Sequence, residues 1–137
     1  MATFIAFNEG KKELANNGLP GTCYFLLSTR GVGAGTAHSA SDTLAGGVGE
    51  ITGTGYARQS ESEPTASSSG QVSFAQKSWS TGSATDWPSG VRSVILATTS
   101  DNTGKAICAW DLQASSAARD LSQPNTTEQF TPTLQVG

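Results

Sequence analysis

Charge is scarce in this chain: only 14% of its 137 residues are Asp, Glu, Lys or Arg. Long solvated helices, which need a charged face, are therefore disfavoured. Cationic surplus is absent as well, since eight Lys and Arg stand against eleven Asp and Glu for a formal charge of -3. No broad basic surface exists to neutralise a phosphate backbone, so nucleic acid is not an expected partner. No apolar run approaches the ~20 residues that span a bilayer, and no charged leader precedes the first apolar residues. The expectation is a soluble chain with no membrane partner. Histidine occurs once and cysteine twice. Cys23 and Cys108 each sit inside an apolar run, where a free thiol behaves as a small buried hydrophobe. Reduced core thiols are expected, with a disulfide between two core strands as the alternative.

What the chain has is Ser, Thr and Gly, together more than a third of all residues. That mixture favours strands, turns and loops, and the length fits one domain, residues 1–137. Residues 7–17 favour a short helix, stopped by Asn16, Asn17, Gly18 and Pro20, with Gly10 as its weak point. Residues 1–20 thus form a docking segment with a short helix. Residues 22–29 read as a strand buried on both faces. A long loop at 31–49 follows, then a strand-like stretch at 51–59 and a polar loop at 60–70. Residues 71–75 alternate as a half-buried strand, and 80–90 make a turn-rich connection. Residues 91–99 and 105–112 form a hairpin about Ser100, Asp101, Asn102, Thr103 and Gly104. In its second arm Ala106, Cys108, Trp110 and Leu112 alternate with Lys105, Ile107, Ala109 and Asp111, which places both charges on the outer face and predicts that this face meets water at both ends. A last strand at 128–136 is confined to a sheet margin by Pro132. The fold class is all-β, an antiparallel β-sandwich or jelly roll with one short N-terminal helix, because crossover helices are missing.

Reactive chemistry is sparsely signalled. His38 lies in a small-residue loop without neighbouring Cys, so it reads as a solvent-exposed side chain, and no metal site is expected. Glu61 and Glu63 share a face if extended, a spacing able to hold a hard cation or a protonated dyad, although a solvated acidic loop is the simpler reading. Gly31, Gly33 and Gly35 begin like a dinucleotide loop, but Thr36 stands where the third glycine belongs and no amphipathic helix follows. Hydrolase and phosphate-binding motifs are absent, and a Ser/His/Asp triad would have to be assembled from His38 and arbitrary serines. Asn125, Thr126 and Thr127 match a glycosylation pattern that a Thr-rich chain produces by chance. No cofactor and no catalysis are expected.

The aromatic residues are more informative. Phe4, Ile5 and Phe7 open the chain before any charge, and must dock on their own sheet or enter a neighbour. Trp79 and Trp87 border a turn, where indoles either pack beneath the loop or face a partner. These five residues are the candidate partner interface.

Gly53 to Gln59, and within it Gly55, Tyr56, Ala57, Arg58 and Gln59, is similar to the G-x-G-Y-A-R-Q strand of a family of small tailed-bacteriophage virion proteins described as head decoration, head fibre or minor tail proteins. The similarity continues through Val72, Ser73 and Phe74, the turn at Trp87, the 91–112 hairpin and the closing Thr133, Leu134, Gln135 and Val136. The resemblance implies a sandwich displayed on the virion, on the outer surface of the head or alternatively on the tail. It also implies binding to the major capsid protein and a homo-oligomer, for which a trimer is favoured. Receptor or glycan binding at a tail tip is the second expectation. Within the motif, Tyr56 and Arg58 share a strand face and read as structural.

Overall fold

The chain runs through β1 (Phe4–Ala6), α1 (Asn8–Asn17), β2 (Thr22–Ser28), β3 (Gln59–Ser62), β4 (Gln71–Ser73), β5 (Lys77–Ser80), β6 (Ser93–Ala97), β7 (Ala106–Asp111), β8 (Thr127–Phe130) and β9 (Thr133–Gln135), with a 3-10 turn at Ala114–Ser116. This computed structural model describes residues 4–33, 37–62, 64, 66, 67 and 69–135. Glu63, residues 34–36 of the glycine-rich loop, Val136 and the first three residues of the docking segment lie outside them.

The apolar runs build one five-stranded antiparallel sheet in the order β1, β7, β6, β2, β3. On one face Cys23, Phe25, Leu27, Val94, Leu96, Cys108 and Trp110 pack against a second layer. That layer is a ribbon in which β4 pairs with β9 and β5 with β8. The register steps by one residue between the two halves, from Ser73↔Thr133 to Lys77↔Phe130. Pro132 sits at that step: it has no N–H to give a ladder, while its carbonyl accepts from Phe74 N at 3.0 Å. Val72, Phe74, Trp79 and Leu134 reach inward from the ribbon, and the Phe25 and Phe74 rings meet edge to face at 5.0 Å. The architecture is thus an all-β sandwich with one short helix, five strands against a two-stranded ribbon, and of the two expected forms the sandwich is the one present.

The other sheet face is also covered. Leu26, Ile95, Ala97 and Ala109 lie beneath Phe7 at the start of α1 and Leu44 and Val48 of the long loop, which is why the central strands read as unbroken apolar runs. α1 approaches β7 so closely that a Cβ on Gly10 would overlap Ile107 and the Ala106 carbonyl. The glycine that weakens the helix by propensity is what lets it dock. Glu9 Oε2 then accepts from Leu44 N at 2.9 Å and Ala106 N at 2.7 Å.

Several expectations are corrected. Residues 51–58 form no strand. Tyr56 N bonds Gly53 O in a turn at 3.1 Å, Gly55 takes φ 80°, and a Cβ on Gly53 would run into the Trp87 ring. Strand structure begins only at Gln59, the last residue of that stretch, and β3 continues through Ser62 into what reads as polar loop, while β5 arises where no strand was expected. The 128–136 strand is two strands broken at Pro132. The outer face of β7 does not meet water at its far end, since Asp111 is buried.

Candidate functional site

β1 is a three-residue strand at the margin of the five-stranded sheet. Its register sets Phe4 opposite Trp110, Ile5 opposite Ala109 and Ala6 opposite Cys108. Phe7 N donates to Ile107 O at 3.0 Å. In an antiparallel ladder bonded and non-bonded pairs alternate, so Ile5 bonds toward β7 while the peptide groups of Phe4 and Ala6 point outward. Phe4 is the exposed large hydrophobic residue among the described residues, 45% accessible, its ring tilted against Trp110 at 6.0 Å between centroids. The ring stands between two hollows of about 290 Å³ each. One is lined by Ala6, Lys11, Leu14, Ile107 and Leu134, the other by Trp110 and Thr133, and Gln135 borders both. Among the described residues no strand pairs with the outer edge of β1, and an open strand edge with an exposed aromatic ring and adjoining apolar hollows is a feature of a surface that receives a partner.

Of the five candidate interface residues, Phe4 alone is presented. Ile5 is half-buried against the second core cluster. Phe7, Trp79 and Trp87 are corrected from interface to core: Phe7 has no accessible surface, and the indoles retain 2% and 3%. Phe7 fills the space between sheet and long loop. Trp79 points inward from β5, and Trp87 lies over Gly53, its Nε1 donating to Thr54 O at 2.8 Å.

Tyr56 and Arg58 converge on Glu50 through the turn that replaces the expected strand, not along a shared strand face. The Tyr56 hydroxyl donates to Glu50 Oε2 at 2.9 Å and accepts from Leu27 N at 3.0 Å. Arg58 binds both Glu50 oxygens and reaches the 99–102 hairpin loop. Burial and the adjacent Glu50 carboxylate hold the Tyr56 phenol far above its ordinary range. Gly55 supplies the positive-φ turn, Ala57 carries the chain across, and Gln59 opens β3 opposite Phe25. Glu61 is likewise occupied, accepting from Lys77 Nζ at 2.6 Å and Ala75 N at 2.8 Å.

His38 is buried, not solvent-exposed, at 6% accessibility. Its Nε2 lies 2.9 Å from Ser93 Oγ and its Nδ1 3.9 Å from Asp42 Oδ2. The order Ser, His, Asp is that of a hydrolytic triad, but Ser93 has no accessible surface and its hydroxyl proton goes to Arg30 O at 2.6 Å. A nucleophile needs an approachable oxygen within reach of a substrate, and this one is sealed beneath the loop. The serine belongs to a cross-strand row, Ser28↔Ser93↔Asp111, that ties down the loop above. Ser28 Oγ bonds Val48 O and accepts from Arg30 N, while Asp111 Oδ1 accepts from Val32 N and Oδ2 from Ser116 Oγ. This row was missed in sequence; its only signal is that each strand turns polar where the loop must be anchored. Among the described residues no group of three or more His, Cys, Asp or Glu side chains is placed to hold a metal ion.

Comparison with known proteins returned no matching family model, no matching curated protein and no matching solved structure.

Proposed function

We propose that this chain is a structural protein of a bacteriophage virion, a decoration protein that seats its Phe4 edge on the major capsid protein at the outer surface of the head and stabilises the shell. The observation that carries the reading is the Phe4 ring on β1, which is the margin of the sheet among the described residues, flanked by two apolar hollows. The resemblance of Gly55, Tyr56, Ala57, Arg58 and Gln59 to a virion-protein motif supplies the class of partner. The buried indoles give no platform for stacking on sugars, which favours shell binding over a glycan-binding tail tip.

A stable contact of this kind needs roughly 800 Å² per partner, so the Phe4 edge is the centre of a larger footprint. As a trimer at a local three-fold position, the protein would engage several shell subunits together, and avidity then exceeds a single affinity by about 10² to 10⁴. Removing residues 1–7 is an unsuitable test, because Phe7 is core. Phe4→Asp is the suitable one, since Phe4 is the exposed large hydrophobic residue among the described residues, 45% accessible at the sheet margin. Phe4→Asp should fold, with an unchanged circular dichroism spectrum, and fail to load onto particles lacking the protein. Full occupancy by a folded Phe4→Asp protein would overturn the role of this edge. Counting copies on intact particles tests location: hundreds mark the head, a few mark the tail, and none removes the proposal.

A further inference from the structure

The long loop lies over an apolar sheet face, and its stretch 37–49 is held by a small set of polar contacts. His38 N donates to Gly31 O at 2.7 Å, Asn8 N to Ala40 O at 2.8 Å, Leu44 N to Glu9 Oε2 at 2.9 Å and Thr29 N to Gly49 O at 3.1 Å. Ser28 Oγ donates to Val48 O and Arg30 Nη1 to Ala37 O at 3.1 Å, and a further tie is the His38 ring, whose side chain is fully buried. Ser93 has one hydroxyl proton, given to Arg30 O, so toward His38 it can only accept. His38 Nε2 must therefore carry the ring proton, and Nδ1 is left with a bare lone pair. Among the described residues Nδ1 has no hydrogen-bond partner. The nearest carboxylate oxygen, Asp42 Oδ2 at 3.9 Å, is beyond bonding distance and already accepts from Ser39 N at 2.9 Å.

We propose that residues 37–49 form a proton-controlled cover, in which one proton added at His38 Nδ1 releases this stretch from the sheet and uncovers the apolar face around Leu26, Ile95 and Ala109. The reason is the surroundings of the ring. Phe7 at the start of α1 meets it edge-on at 5.4 Å, and β6 offers only the Ser93 hydroxyl. The charged groups facing it are Asp42 from the cover itself, Arg30 beyond the end of β2 and Asp111 from β7. Arg30 opposes an imidazolium, while Asp42 and Asp111 favour it. Burial outweighs the two carboxylates and holds the closed-state His38 below the ordinary histidine range. An open cover returns the ring to water, where it takes a proton near the ordinary value of ~6.5. The open state thus binds more protons, and lowering the pH through ~6.5 toward the closed-state value shifts the balance toward opening by up to about tenfold per pH unit.

The experiment uses the full chain. Because His38 is the single histidine, its imidazole signals give its titration directly by NMR. The expected midpoint lies below ~6.5, with the Nε2-protonated tautomer at neutral pH. Hydrogen-exchange protection factors for the His38 and Leu44 amides, corrected for intrinsic rates, should fall between about pH 7.5 and about pH 5 while those of β2 and β6 hold. His38→Gln retains an N–H donor for Ser93 and should abolish that pH dependence. Asp42→Asn should deepen it by removing a carboxylate that favours the charged ring. A midpoint at or above the ordinary value, or equal pH dependence of cover protection in wild type and His38→Gln, overturns the proposal. If His38→Gln does not fold, the wild-type midpoint decides alone.

Discussion

Arg58 and Glu50 close a two-point ion pair, Nε to Oε2 at 2.9 Å and Nη2 to Oε1 at 2.6 Å. The rest of the guanidinium reaches across to the 91–112 hairpin, with Nη1 donating to Asp101 O at 2.7 Å and Thr99 O at 3.1 Å and Nη2 to Asn102 Oδ1 at 2.6 Å. One side chain therefore fastens the turn-rich 50–58 segment to the hairpin loop. Only Arg has the planar fork to serve both sides at once.

Arg58→Ala should lower stability by about 3 kcal/mol, because it strands a partly buried carboxylate and frees a loop. Lys105→Ala should change it by less than about 0.5 kcal/mol, since that pair is long, at 4.0 Å, and its lysine half-exposed. Chemical denaturation of both variants measures the difference; equal losses would contradict the assigned role. Arg58→Lys should recover little, because an ammonium cannot reproduce the fork.

Tyr56→Phe should cost about 1–3 kcal/mol, more than a neutral hydrogen bond usually contributes, because it leaves the Leu27 amide without its acceptor. The same denaturation series reads it. The double variant with Glu50→Gln should be less than additive, as both act through one network.

The hairpin and the first buried strand were legible because their apolar runs have strand length and their loop has the residues a turn demands. The 51–59 stretch was misread because alternation alone does not reveal that Trp87, far along the chain, lies over Gly53. β5 was missed because Lys77 reads as surface, yet its ammonium is satisfied by Glu61 and sits 5.1 Å from the centre of the Phe25 ring. The placement of His38 was reversed for a related reason. Its loop is made of small residues, which suggest exposure, but small residues also let a loop lie flat on a sheet, and burial then follows from strand order. At the candidate edge, Phe4, Ile5 and Phe7 stand out in the sequence as one apolar group, and the structure pairs Phe4 and Ile5 with β7 while burying Phe7. Which of them faces water depends on their pairing register with β7, and that is a long-range property.

Gly10→Ala is the variant for which helix propensity and packing disagree in sign. Propensity alone predicts a gain of about 1 kcal/mol. A methyl there overlaps the backbone of β7 at Ile107, which has no side-chain rotation with which to give way. We expect a net loss of about 1–3 kcal/mol, as for other overpacked sites, seen as a lower melting temperature. A rise in melting temperature would mean that the helix can lift from the sheet without penalty.

Cys23 and Cys108 are both free and buried, and β6 runs between their strands, with Phe25 opposite Leu96 and Leu96 opposite Cys108. A disulfide would have to pass over β6, so oxidation of the native protein should form none. Burial, reinforced by Glu61 and partly offset by Lys77, pushes the Cys23 thiol up to about 12, and burial holds Cys108 well above 9.0. Thiolate is the reactive form, so an aromatic disulfide reagent should label neither residue in the native state and both after denaturation. The same shifts fix the sign of the alkaline response. Above the ordinary thiol value of 9.0 the unfolded chain releases protons that the folded chain keeps. The unfolded state then binds fewer protons, and stability declines as pH rises. Replacing both cysteines with alanine should remove that component of the alkaline decline, at a packing cost that is the same at neutral pH. If native Cys23 reacts as fast as a free thiol, the strand bearing it opens far more readily than its packing implies.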